Sequence, residues 1–515
     1  MPKPKTFGKV LKQKKKNKMK QFFTFLGIVA MGATAYGQAD TDIVNIPDVY
    51  FKRYLVENTF INSNNDSEIS YEEARAYTGE ILVINRNIES LEGIEAFVNI
   101  TRLHCHNNQL TSLDVSKNIA LQTLYCYNNQ LTSLDVSKNT ALQELNCSNN
   151  QLTSLEVSGA MALTRLSCYR NPLSYLDLTN NKEIEYLGYG ENTSVSNLMD
   201  LPKLKGLELH NIPLANIDYR VLQKIESLSL SGEKYTSVYI AHLSNLKSFS
   251  ISGTKITNLD VSKNTALQRL YCSDNQLTSL DVSKNTALLD LFCHNNQLTN
   301  LDVSKNTALE TLLCHNNQLK SLDISKNMAL EILNCSDNQL TSLDVSKNTV
   351  LYALLCQNNQ LTNLDVSKNT ALETLFCYNN QLTQLNLANG NNNNLYLRTQ
   401  NNPNLMCIQI GTGFAPTVFW EKDDHALYSD NCNYPTLSTT EVKAENAIQI
   451  LNPVKDNLII KTTAKVERIE IYNTAGQLVK VLFRGNTQVQ DLAKGIYLLK
   501  ITTDGGVITE KIIKQ

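Results

Sequence analysis

The chain has 515 residues, with 47 basic and 49 acidic side chains. Nine of the lysines fall in residues 1–20; without them 38 basic residues face 49 acidic ones, a net charge of −11. That balance excludes nucleic acid and anionic membrane surfaces as electrostatic partners, and no stretch beyond the N-terminus is apolar for long enough to cross a bilayer.

The first 37 residues read as an export signal. A lysine-rich start precedes an apolar run from Phe22 to Ala35, too short for an ordinary membrane span. Ala35-Tyr36-Gly37 then offers small residues at a cleavage site before Gln38. Met1 and Met19 both qualify as the start, because the segment from Met19 is a complete signal by itself. No cysteine follows directly, which argues against a lipid anchor.

Residues 38–80 predict a helical cap. Ile46, Val49, Phe51, Tyr54 and Leu55 place apolar side chains along one short helix. The stretch after it resembles an EF-hand calcium loop, with Asn62, Asn64, Asp66, Glu68 and Glu73 at positions one, three, five, seven and twelve. Asn62 stands where that loop usually has Asp, and Ser67 where it has the Gly of the sharp turn. The resemblance implies weak calcium binding at the cap; the alternative is a polar turn between two helices. No other cofactor is expected.

Residues 81–406 are governed by a period. Cys105, Cys126, Cys147 and Cys168 are 21 residues apart, and so are Cys272, Cys293, Cys314, Cys335, Cys356 and Cys377. A fixed spacing of this size means a stacked repeat. The unit from Leu121 to Asn139, LQTLYCYNNQLTSLDVSKN, is doubled: Leu121, Leu124, Cys126 and Asn129, then Leu131, Leu134, Val136 and Asn139. Its first half resembles the leucine-rich repeat, with Cys in one apolar column, and the doubling predicts two short strands per turn. The resemblance implies a mainly β leucine-rich repeat solenoid. Tyr189, Leu209, Leu230 and Ile251 carry the column between Cys168 and Cys272, Ile84 precedes it and Leu397 ends it. That makes about 16 turns and a rod of roughly 75 Å.

Within each turn, alternation sends every second side chain inward. The column cysteines are expected as buried free thiols acting as small hydrophobes. A ladder of asparagines through Asn129, and a second through Asn139, is expected to satisfy backbone groups at the bends. The residues flanking the cysteines face outward and vary while the frame does not. Tyr125, Tyr127, Tyr169, Tyr271, Phe292, His294, His315, Phe376 and Tyr378 form the candidate ligand-binding face. Two readings stand for them: a contact surface for protein or glycan, or rings stacked for stability. The repeated Asp114, Asp135 and Asp302 column reads as a solvated face balanced by the neighbouring lysines. His294 and His315 share one column, with no third metal ligand at a fixed spacing. Turns between Tyr189 and Ile251 break the pattern, and GYGENTSVSNLMD and SGEKYTSVYIAHL are candidates for a distinct mid-rod patch.

Residues 407–440 predict a C-terminal cap. Cys407 and Cys432 lie outside the column and are expected as one disulfide, with Trp420 plugging the last turn. Residues 445–515 predict a small all-β sandwich from short apolar runs separated by turn residues. The segment resembles the C-terminal sorting domain of the type IX (Por) secretion system of Bacteroidetes through Asn452-Pro453, Asn457-Leu458, Ile471-Tyr472-Asn473, Gly476-Gln477-Leu478-Val479, Gly495-Ile496-Tyr497 and Lys511 to Lys514. The resemblance implies outer-membrane translocation by that machinery, then release or surface attachment. Neither a Ser-His-Asp pattern, nor H-E-x-x-H, nor a phosphate loop is present. The expected function is therefore non-enzymatic: a secreted or surface protein that binds protein or glycan through its strand face. A passive spacer or matrix component is the alternative.

Overall fold

The doubled half-motif leaves room for only two or three inward side chains before an asparagine turns the chain, so the strands must be short. The computed structural model describes residues 42–414, 416, 419–432, 449–450, 454–461, 465–473, 477–483, 488–503 and 506–514. The export segment expected over residues 1–37 lies outside them, as does Asn452-Pro453. The chain divides into two units, one ending at Cys432 and one beginning at Asn433.

In the first unit, one parallel sheet of 17 strands runs the length of the coil. Sixteen strands lead from Glu80–Leu82 to Tyr396–Arg398, and Trp420–Glu421 adds one more. Each turn aligns with the next: Leu103 pairs with Leu124, and Leu124 with Leu145. Leu124 and Cys126 are fully buried while Tyr125 between them is only partly so. All ten column cysteines are free and buried. Stacking joins these columns into one core from Val44 to Ala426, the only way such thin turns exclude water.

The asparagines hold the bends. Asn129 Nδ2 donates to Cys126 O at 3.0 Å in its own turn and to Cys105 O at 3.1 Å one turn back, while its Oδ1 accepts from Leu110 N at 3.0 Å. The same three bonds recur at Asn150, Asn296, Asn317, Asn338, Asn359 and Asn380. The second column also clips turn to turn: Asn139 Nδ2 reaches Val115 O and Asn118 O at 2.9 and 3.0 Å. A third ladder stands just before the first. Asn128, Asn149, Asn295, Asn316, Asn358 and Asn379 all have φ between 51° and 57°, the left-handed region that Asn tolerates best after Gly. Asn128 Nδ2 there donates to Asn107 Oδ1 at 2.5 Å.

Several details differ from the periodicity. Ile81 pairs with Leu103, so Val83, not Ile84, occupies the cysteine column one turn before Cys105. A connection carrying the 3-10 turn Ile94–Ala96 makes that step one residue longer. Leu397 pairs with Leu375, which puts Thr399 opposite Cys377; the asparagine-rich Asn389 to Asn394 link supplies the extra residue. A second strand forms in only some turns, as in Ser133–Asp135 with Ser154–Glu156 and Asn363–Asp365 with Gln384–Asn386. In turns with and without that strand the Asp side chain takes an amide two residues on, as Asp135 Oδ1 accepts Ser137 N at 2.7 Å and Asp302 Oδ1 accepts Ser304 N at 2.8 Å. Those serine hydrogen bonds, ahead of the charge of Lys305, hold the Asp302 carboxyl below its ordinary value.

The coil continues past residue 406. Cys407–Gln409 joins the second sheet and pairs with Leu427–Ser429, and a disulfide links Cys407 to Cys432. Trp420 is a strand residue of the last turn; its Nε1 donates to Leu395 O at 2.9 Å. At the other end, helix Val49–Val56 buries Phe51 and Leu55, capped by Asp48. Helix Tyr71–Ala76 starts on a capping box between Ser70 and Glu73.

Among its described residues the second unit is all β. Leu478–Phe483, Val466–Tyr472, Gly495–Thr503 and Gly506–Lys514 form an antiparallel sheet in that order, beside a two-stranded pair. Ile469 and Ile471, and Tyr497, Leu499 and Ile501, alternate into its core with Leu482 and Ile512.

Two measurements check this account. Replacing Asn317 by Ala strands Leu298 N, Cys293 O and Cys314 O, so denaturant unfolding should show a loss of about 1–3 kcal/mol; no loss would mean the ladder does not hold the bends. Burial pushes thiols such as Cys293 up to about 12, so the ten column cysteines should resist a thiol reagent at pH 8 until the coil is unfolded.

Candidate binding site on the strand face

Alternation along the long sheet leaves three outward columns, exemplified by Thr123, Tyr125 and Tyr127. Adjacent turns are about 4.8 Å apart, close to the thickness of an aromatic ring plus its neighbour, so rings stack. His104 lies 4.7 Å from Tyr125, His106 4.3 Å from Tyr127, Tyr271 4.8 Å from Phe292, and His294 4.3 Å from His315. Phe376 meets Tyr396 edge-on at 5.4 Å. The nine candidate residues therefore do not form one continuous stripe. Tyr125 and Tyr127 sit in one cluster, Tyr271, Phe292, His294 and His315 in a second, Phe376 and Tyr378 in a third, and Tyr169 stands beside His210 at 6.0 Å. All nine are partly buried by their neighbours.

The column after the cysteines is less open than its alternation implies. Ser148, Ser273, Ser336 and Gln357 are buried, because the turns above and below cover them. Burial, then the neighbouring His294, pushes His315 down to about 4. Among the described residues no group of three His, Cys, Asp or Glu side chains could hold a metal, so the histidine pair gains no third ligand.

The stacked face breaks in mid-coil. There the outward columns carry Gly188, Gly190 and Gly206, followed by Ser227, Ser229 and Ser231. A depression of about 350 Å³ opens, walled by Tyr125, Arg165 and Tyr186. Its shape follows from two glycines. A Cβ on Gly206 would lie 2.5 Å from the Tyr186 ring, so only Gly lets that ring lie flat; a Cβ on Gly188 would meet Glu208 Oε2 and Ser167 Oγ at 3.0 Å. Arg165 stacks on the Tyr186 ring at 4.1 Å and lies 3.8 Å from Glu144, which accepts from Tyr125 Oη at 2.5 Å. Glu208 reaches across Gly188 to accept from Ser167 Oγ at 3.3 Å. Burial raises the Glu208 carboxyl, against hydrogen bonds from Ser167 and Tyr169 that lower it.

A second hollow of about 540 Å³ lies among the irregular turns, lined by residues from Asn211 to Leu222 and from Lys234 to His242. Tyr219 and Tyr239, 59% and 72% exposed, flank His242 at 5.9 and 5.5 Å. Here the asparagine ladder lapses at Ile212, and Tyr235 takes over: its hydroxyl accepts Ile212 N at 3.1 Å and donates to Ile212 O at 2.7 Å. Of the two segments singled out for breaking the repeat, SGEKYTSVYIAHL lines the second hollow, while GYGENTSVSNLMD gives only Gly188 to the first. Reading by columns missed Arg165, Tyr186, Gly206 and Glu208; the visible signal was glycine in outward positions.

In the cap loop the carboxylates are engaged by neighbouring protein groups. Glu73 Oε1 accepts Ser63 N at 2.8 Å and Asn64 N at 3.2 Å, and Oε2 accepts Ser70 N at 2.9 Å. Glu68 pairs with Lys52 at 2.6 Å, Asp66 Oδ1 accepts Glu68 N, and Asn62 Nδ2 donates to Val56 O and Asp66 O. Asn64 is tied to Asp66. The carboxylates of the loop are thus held by protein donors, while Asn62 Oδ1, at the first loop position, is buried with no hydrogen-bond partner among the described residues.

Residues 119–160 match the family described as leucine-rich repeats in two copies, and residues 452–515 match the secretion system C-terminal sorting domain. No curated protein matches this sequence. Among solved structures, the functional domain of InlJ from Listeria monocytogenes, which includes a cysteine ladder, is 25% identical, covering 92% of this chain and 100% of its own, with a TM-score of 0.39. An internalin, InlF, of the same organism is 22% identical over 60% of this chain and 94% of its own, TM-score 0.40. A leucine-rich repeat protein of Leptospira interrogans is 24% identical over 60% and 92%, TM-score 0.44.

Glu73 carries a prediction for the cap. Burial raises its carboxyl, but hydrogen bonds from Ser70, Asn64 and Ser63 bring it below its ordinary 4.5. A depressed folded value stabilises above 4.5 and the benefit is lost as pH falls through it. Cap stability, followed by hydrogen exchange at Asn64 and Ser70, should therefore fall below about pH 4.5. Glu73→Gln should flatten that dependence, and millimolar calcium should leave it unmoved.

Proposed function

From a leucine-rich repeat coil that ends in a type IX secretion sorting domain, we propose a surface or secreted recognition protein. It binds a protein or glycan partner through the strand face and performs no catalysis. The export signal over residues 1–37 delivers it to the periplasm, and residues 452–515 then engage the type IX machinery. The one observation that carries the binding reading is the break in the stacked face at Gly188 and Gly206. A spacer is best served by uniform turns. This coil instead gives up ring stacking and ladder packing at its middle to open a polar, walled depression.

The wall is built from Tyr125, Arg165 and Tyr186, the residue types that dominate contact energies at interfaces. A rigid coil loses little conformational freedom when a partner binds, so affinity is not spent on ordering loops. The exposed Tyr219–His242–Tyr239 stack favours a glycan as the second reading of the partner, since such rings can lie against sugar faces. The near-identical turns from Arg269 to Phe376 favour the spacer alternative for that part of the coil.

Two experiments bear on this. Replacing Tyr125, Tyr127, Phe292 and Phe376 together by Ala, with folding checked by circular dichroism, should weaken partner capture by the secreted chain at least tenfold; undiminished capture would overturn binding through the aromatic strand face. Deleting residues 452–515 should retain the chain in the cell, read by fractionation, while the coil keeps its melting transition.

A further inference from the structure

Within that binding reading, the depression also says what chemistry it takes. Glu208 sits on its floor between Gly188 and Ser229 on the neighbouring strands. Its hydrogen-bond partner is the Ser167 hydroxyl, with Tyr169 beside it. The basic groups of the same turns are committed elsewhere. Arg165 lies on Tyr186 beside Glu144, Arg170 Nε donates to His210 Nε2 at 3.4 Å, and Lys205 pairs with Glu185 at 3.0 Å. With Glu144 paired to Arg165, Glu208 is the carboxylate of the lining that has no ion pair among the described residues.

A partly desolvated carboxylate without a cation is costly in the free protein and strongly favours one in a complex. A metal ion is the poorer candidate, because no second carboxylate, imidazole or thiol converges on Glu208 to complete a coordination shell. The walls suit an extended organic cation. Arg165 already occupies the Tyr186 ring face, which leaves the Tyr125 ring and the Ser227 and Ser229 hydroxyls of the lining to meet the stem of that cation. We propose that this depression receives an arginine or lysine side chain from a partner protein, with Glu208 as its counter-ion.

The test uses the full secreted chain and short peptides as probes: acetyl-Gly-Arg-Gly amide and acetyl-Gly-Lys-Gly amide against their citrulline and acetyl-lysine counterparts. Binding is followed by chemical-shift titration. At least one basic peptide should bind at least tenfold more tightly than its neutral counterpart, and Glu208→Gln should reduce that binding to the neutral level. Gly188→Ala, which crowds the carboxylate without removing it, should weaken the basic peptide by a smaller factor. Equal binding of basic and neutral peptides, or unchanged binding by Glu208→Gln with its melting temperature preserved, would overturn the proposal. A variant that captures its partner through the aromatic clusters yet ignores charge at Glu208 would sink this inference alone; loss of all capture in the aromatic variant is a separate result.

Discussion

An asparagine that ends each strand is what the rest of the coil depends on. A turn of 21 residues has no interior of its own, and its bend leaves backbone groups facing inward where no strand is available. One primary amide has two donors and an acceptor, enough to meet two carbonyls and one amide at once. Because one of those carbonyls and the amide belong to the preceding turn, as with Asn317 and Cys293 O and Leu298 N, the same bonds that close a bend also fix the stacking. Leaving such groups unmet inside a core costs more than any single contact returns, so the asparagine ladder sets the register and the apolar columns follow.

The cysteines are a consequence of this geometry. Beside the buried asparagine a thiol fills the inward column as a small hydrophobe without a strong hydrogen-bonding demand. Close stacking of the turns governs the outside. Flat rings on successive turns cover one another, which makes most of the aromatic face a stable wall with only edges exposed. That wall has a break in mid-coil. Glycine at positions 188 and 206 supplies it, letting Tyr186 lie down and Glu208 lean across a missing side chain.

Much of this was legible in the sequence because a repeat makes each position speak many times. The inward columns, both asparagine ladders, the buried thiols and the pairing of Cys407 with Cys432 were readable from spacing alone. The Asn-Asn doublet before most bends, with Arg170, Asp274 and Asp337 in its first place in three turns, carried a third ladder, hidden because its role is a left-handed backbone rather than a packed side chain. The ends of the coil were read one residue off at Ile84 and one column off at Leu397. Connections there are longer by a residue, and a period cannot show where an insertion is absorbed. The cap loop has the spacing of a calcium site, yet its Glu73 carboxylate is drawn onto backbone amides by the capping box.

What the sequence determined by itself was the architecture: a solenoid of short parallel strands, capped at both ends and followed by a separate β unit. Period-two alternation and a fixed repeat dictate these whatever the details. The site was decided only by tertiary structure. Ser167, Gly188 and Glu208 lie on three successive turns and are unremarkable in any one of them. Only stacking places them edge to edge and leaves a recessed carboxylate where the ring wall ends. Likewise Tyr235 replaces a ladder asparagine from outside the expected column, because the core requires a donor and acceptor at that point in space, not at that position in the repeat.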